Sequence, residues 1–137
     1  MMKANKICEF EFDAKQTAIQ HEVFVCINQK KASFKLAIDT GCYDVILNID
    51  LINIILDIDL GEKPKSRMIT GATEPEIAYN IILDSIKLEN IERKNFPALC
   101  KKFPKKISVD GILGRKFFED LRLIFDFKKK NIEIERY

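Results

Sequence analysis

The chain has 137 residues, 47% of them hydrophobic and 32% charged, with a formal net charge of +2. That length supports one domain with a real core, and that composition is not that of a disordered or membrane protein. No run approaches the roughly 18–20 apolar residues of a membrane-spanning helix, and so small a net charge gives no basis for a nucleic-acid or membrane partner.

Residues 7–12 begin the chain's strand signals, with apolar Ile7, Phe10 and Phe12 set among Glu9 and Glu11. No apolar run precedes those glutamates, so a secretory signal is not expected and a reducing cytoplasm is the predicted compartment. Residues 21–28 carry Val23, Val25 and Ile27 on one face, and Asn28, Gln29, Lys30 and Lys31 predict a hairpin turn. The strand that follows, 32–38, alternates Phe34, Leu36 and Ile38 with Lys35 and Ala37, the period-2 pattern of a half-buried strand. It ends at Asp39-Thr40-Gly41, and a second apolar run, Val45-Ile46-Leu47, leaves that turn.

Residues 50–57 predict a helix, with Leu51, Ile52, Ile55 and Leu56 as its stripe and Asn48 or Asp50 as its cap. A Gly/Pro/Lys loop covers 61–65. Segments 66–73 and 76–88 read as the arms of a long hairpin whose tip holds Gly71 and Pro75. Glu89 and Asn90 turn the chain into strand 91–100, and 101–106, with Pro104, form a loop. A buried strand over 109–114 ends in Gly114, and a short helix over 115–120 follows it. Segments 121–127 and 131–136 close the chain as a hairpin around the lysines at 128–130. Many short strands with one or two small helices predict a mostly β domain.

The lysine clusters lack interleaved aromatics and read as solvated loops and turns. Four cysteines without close pairing and a single histidine, His21, give a metal site little to draw on. Cys8, Cys26 and Cys100 lie in apolar runs and read as small buried hydrophobes. His21, beside Glu22, reads as a surface residue.

The most chemically loaded position is Asp39. A carboxylate held between two core-anchored strands has the rigidity that an acid or base requires. Thr40 adds a hydroxyl, and Gly41 permits close approach of the backbone. The tripeptide alone is also ordinary turn chemistry, and a carboxylate that merely caps a loop is the competing reading.

Three pieces stand in order: Asp39-Thr40-Gly41 at a strand end, a glycine-bearing hairpin tip at Ile69-Thr70-Gly71-Ala72, and Ile112-Leu113-Gly114 entering a short helix. With the C-terminal stretch DGILGRKFFEDLRLIFDFKKKNIEI, they resemble the retropepsin-like aspartic proteases of single-domain, bacterial or cellular type. The resemblance spans roughly residues 18–134, and two distant motifs in order are more specific than either alone. It implies a closed β-barrel-like acid protease fold, with Asp39 as the catalytic aspartate. It further implies that Ile112, Leu113 and Gly114 pack beneath the active-site loop. Thr40 would bond across to the partner's loop, and Ile69, Thr70, Gly71, Ala72 and Thr73 would form a flap over substrate. Only one Asp-Thr-Gly is present, since Asp110-Gly111 lacks the middle hydroxyl. A homodimer with an Asp39/Asp39′ dyad follows. Such an enzyme takes a peptide or protein substrate and no cofactor, metal, nucleic acid or membrane.

The chain departs from the family pattern in two places. Cys42 stands where a small Ala or Ser is usual, either as a small buried residue or as an oxidation-sensitive brake. The tip has few glycines, and Pro75 stiffens its exit. Arg115 follows the last glycine, and an Arg115–Asp44 ion pair bracing the active-site loop is the expectation. Two other functions compete: a catalytically silent dimerisation module of the same fold, and a nucleic-acid-binding barrel. The latter is disfavoured by the lack of Trp and by only three Tyr.

Overall fold

The structure is a computed structural model that describes residues 3–55, 57, 65–68 and 76–137. The described chain runs β1 (Asn5–Glu11), β2 (Gln20–Ile27), β3 (Lys30–Ile38), β4 (Ile46–Asn48), α1 (Ile49–Ile55), β5 (Lys65–Met68), β6 (Glu76–Leu88) and β7 (Ile91–Lys101). It continues through β8 (Gly111–Leu113), a 3-10 turn (Arg115–Phe118), β9 (Leu121–Asp126) and β10 (Asn131–Arg136).

Local chemistry explains the turns. Asn28 and Gln29 both adopt positive φ, 49° and 67°, the arrangement of a two-residue turn whose twist matches the flanking strands. β2 and β3 therefore pair in strict register from Ile27↔Lys30 to Gln20↔Ala37. Glu89 at φ 53° turns β6 into β7, where Leu88 faces Ile91. At the last hairpin Asp126 Oδ1 accepts the N–H groups of Lys128 and Lys129 at 3.0 and 2.9 Å, so the lysine run is a turn. Asn48 Oδ1 accepts the Asp50 N–H at 3.0 Å and caps α1. That helix starts at Ile49, one residue before the sequence pattern suggests; Leu56 and loop 61–64 lie outside the described residues.

The strands close on themselves in the order β2-β3-β8-β4-β7-β6, and β6 returns to β2 through Phe24↔Lys87, Val25↔Ile86 and Cys26↔Ser85. This is the closed β-barrel that the resemblance implies, with β5 paired along the first part of β6. A three-stranded sheet, β1-β10-β9, joins the two ends of the described chain. Its inward side chains Phe10, Ile132 and Ile134 share one core with Val23, Val25, Leu36, Leu47, Leu83 and Phe117 from the barrel. Burying each such side chain is worth about 1.5–3 kcal/mol, so the sheet and barrel form one cooperative body. No helix among the described residues is long and apolar enough to cross a membrane.

His21 is more enclosed than a surface residue. Its Nε2 lies 2.7 Å from Glu89 Oε1, and its ring stacks on Phe10 with centroids 4.2 Å apart. It thus ties β2 and the β6–β7 turn to β1. Among the cysteines, Cys100 is fully buried while Cys8 and Cys26 are half-buried, and all four are free thiols. Burial pushes Cys100 up to about 12 and, with a contribution from Glu89, Cys8 up to about 11.

Candidate active site

β3 delivers Asp39 to the surface. Its last residues pair in parallel with β8, as Leu36↔Gly111, Ala37↔Ile112 and Ile38↔Leu113, and the Asp39 N–H extends that ladder to the Leu113 carbonyl at 3.2 Å. The chain then turns sharply. Asp39 Oδ1 accepts the Gly41 N–H at 2.9 Å, and the Asp39 carbonyl accepts the Cys42 N–H at 3.2 Å. One carboxylate oxygen is thereby fixed by the backbone while Asp39, Thr40 and Gly41 stay exposed. A Cβ on Gly41 would lie 3.2 Å from Asp39 Oδ1, so the residue's small size leaves that oxygen its position.

The second motif closes on the first. β8 sits between β3 and β4, pairing Ile46↔Ile112 and Leu47↔Gly111 on its other side. Ile112, Leu113 and Gly114 therefore run beneath the loop that joins β3 to β4. Past Gly114, the Arg115 N–H donates to the Cys42 carbonyl and the Lys116 N–H to the Tyr43 carbonyl, both at 2.8 Å. A side chain on Gly114 would overlap the carbonyl oxygens of Asp44 and Cys42. Only glycine admits so close a backbone approach.

Asp110 has a structural part that its Asp-Gly signature did not reveal. Its Oδ2 accepts the Lys35 N–H at 2.8 Å, its own N–H donates to the Lys35 carbonyl at 2.7 Å, and its carbonyl accepts the Asn48 N–H. It lengthens β8 on both sides and leaves Asp39 as the exposed carboxylate of the loop.

The expected Arg115–Asp44 ion pair is not among the ion pairs of the described residues. The Arg115 guanidinium instead stands over the Tyr43 ring, 5.9 Å from its centroid, and the Tyr43 hydroxyl donates to Glu119 Oε1 at 3.0 Å. The main-chain bonds from Arg115 and Lys116 brace the loop in place of that pair. Cys42 is half-buried with its Sγ 3.4 Å from the Asp44 carbonyl; burial, the largest effect, pushes its thiol up despite that hydrogen bond. A protonated thiol at neutral pH favours the packing role over the oxidation brake. Ile69, Thr70, Gly71, Ala72 and Thr73 lie outside the described residues, but the arms that carry them pair as a hairpin from Lys65↔Tyr79 to Met68↔Glu76. No cluster of potential metal ligands occurs among the described residues.

A closed barrel that presents one aspartate on a loop clasped by a glycine-ended strand defines a retropepsin-like protein. A family model described as aspartyl protease matches residues 23–117, and the chain belongs to that family. The fold is also similar to the crystal structure of a retropepsin-like aspartic protease from Rickettsia conorii. That likeness has a TM-score of 0.70 at 20% identity and covers 99% of this chain and 97% of the other. A search of curated proteins finds no match.

Proposed function

We propose that the protein is an aspartic endopeptidase that works as a homodimer, with Asp39 from each copy forming the catalytic dyad. The observation that carries this reading is the Asp39 loop itself. Its carboxylate is solvent-exposed, one oxygen is held by the Gly41 amide, and the loop rests on Gly114 through main-chain bonds. One chain supplies one such carboxylate, and the reaction needs two.

In the dimer, two carboxylates about 3 Å apart cannot both ionise readily and share one proton, the familiar behaviour of aspartic-protease dyads. The ionised oxygen takes a proton from a water molecule lodged between them. The protonated carboxyl donates a hydrogen bond to the scissile carbonyl as water attacks its carbon. The resulting tetrahedral carbon collapses when the carboxyl that took the water's proton passes it to the amide nitrogen, and the C–N bond breaks to release the amine. No acyl-enzyme forms. Thr40 of each loop bonds across to the partner copy and fixes the separation of the two carboxylates. Residues 69–73 close over an extended peptide, which lies as an added strand and shields the water from bulk solvent. Four free cysteines fit work in the reducing cytoplasm.

The test is cleavage of a peptide library across acidic to neutral pH by the native chain and by Asp39→Asn, with sedimentation of both. Cleavage by the native dimer alone supports the reading. A dimer that cuts nothing would leave the catalytically silent module in its place.

A further inference from the structure

The active-site loop is anchored by more than its main chain. Tyr43 is held at two points by the same short segment: its carbonyl accepts the Lys116 N–H at 2.8 Å, and its hydroxyl donates to Glu119 Oε1 at 3.0 Å. The Arg115 guanidinium covers the ring face, 5.9 Å from the centroid. Glu119 is itself fixed from the barrel. Arg93, on β7, donates from Nε to the Phe117 carbonyl at 2.9 Å and from Nη2 to the Glu119 carbonyl at 2.7 Å. These carbonyls lie at the C-terminal end of the 3-10 turn, where the last carbonyls of a helix have no partner within it. At the other end, the Cys42 N–H reaches the Asp39 carbonyl at 3.2 Å. A continuous line of bonds thus runs from β7 through Glu119 and Tyr43 to the loop that bears Asp39.

We infer that Tyr43 and Glu119 are a positioning pair for Asp39, anchored on the barrel by Arg93. The inference rests on the protease reading for its effect on turnover and on geometry alone for its effect on the loop. A hydroxyl that donates to a carboxylate makes a charge-assisted bond. The Glu119 hydrogen bond, the largest influence, raises Tyr43 above its ordinary value of 10.0, so the donor keeps its proton through the neutral and acid range.

The experiment uses the full chain with Tyr43→Phe, Glu119→Ala, Glu119→Gln and the Tyr43→Phe/Glu119→Ala double variant. Tyr43 is 47% exposed, so these changes leave the core intact. Amide hydrogen exchange at Arg115 and Lys116 reads the loop contact directly. Tyr43→Phe and Glu119→Ala should each speed that exchange about 3- to 10-fold. On a peptide that the native chain cleaves, each should lower kcat by a similar factor and leave KM within about twofold, because the loss falls on dyad geometry. Glu119→Gln keeps an acceptor oxygen and should restore most of both. The double variant should match the single variants, since the two changes break one bond. Native-rate exchange in both single variants would overturn the pair, as would a double variant that shows the sum of the two effects. A native chain that cleaves no peptide would sink the protease reading, while the exchange measurement would still decide the pair.

Discussion

Two junctions in this molecule are built from opposite materials. Where loop 39–44 meets β8 and the 3-10 turn, the contact is mainly backbone on backbone, with Arg115 and Lys116 amides on the Cys42 and Tyr43 carbonyls and Gly114 pressed against them, and the Tyr43–Glu119 bond added to it. Where the β1-β10-β9 sheet meets the β6–β7 turn and β2, side chains do much of the joining. His21 bonds Glu89 and stacks on Phe10, and Asn90 Nδ2 donates to the Ile7 carbonyl at 2.7 Å. A backbone junction fixes position tightly and tolerates almost no added volume. A side-chain junction can lose a member and keep its shape. The rigid kind sits under the candidate catalytic group, where small displacements matter most.

The largest effect expected is on activity. Asp39→Asn should lower peptide cleavage by about 10²- to 10⁴-fold or more and leave thermal unfolding almost unchanged, because the side chain is exposed. A large loss of stability in that variant would mean the loop, not its carboxylate, was the sensitive element. Next comes the backbone junction. Gly114→Ala should destabilise the protein by about 1–3 kcal/mol in urea unfolding, since the new methyl group meets carbonyl oxygens that cannot move aside. Gly41→Ala should cost less than about 1 kcal/mol, because its neighbour is the end of the Asp39 side chain. Equal costs at the two glycines would break the contrast. At the side-chain junction, His21→Ala should cost about 1 kcal/mol, half-exposed as the pair is, with activity unchanged.

The smallest effect concerns Cys42. Its raised thiol pKa implies slower alkylation at neutral pH than an ordinary cysteine shows, with a rate that still climbs past the ordinary value of 9.0. The sign is that of any raised acid: the neutral form fits the folded loop, so the associated stability is present below pH 9 and lost as the thiol ionises at higher pH. Comparing alkylation rates of the native chain and Cys42→Ala measures this, and rapid Cys42 labelling at pH 7 would count against it.

Much of the barrel could be read directly from the residues. The alternation of Val23, Val25 and Ile27, and of Phe34, Leu36 and Ile38, sets which face points inward, since a strand's side chains repeat every two residues. Turn residues such as Asn28 marked the hairpins. The pairing of Asp39-Thr40-Gly41 with Ile112-Leu113-Gly114 was legible through resemblance, because a strand that ends in glycine has a specific use beneath a loop. Asp110 was harder, because a carboxylate bonding the Lys35 amide looks in sequence like any Asp-Gly turn. His21 was similar: neither Phe10 nor Glu89 is near it along the chain.

The amino-acid order alone determined the strands, their inward faces, and an aspartate on a glycine-bearing turn, because these depend on period and on residues adjacent in the chain. The three-dimensional arrangement decided that β1 pairs with β10, and that Arg115 covers Tyr43 and leaves Asp44 unpaired with it. It also decided that Glu119 holds the Tyr43 hydroxyl. Those contacts join residues far apart in sequence, and competition among several nearby charged partners is settled only by where the packed backbone sets each side chain.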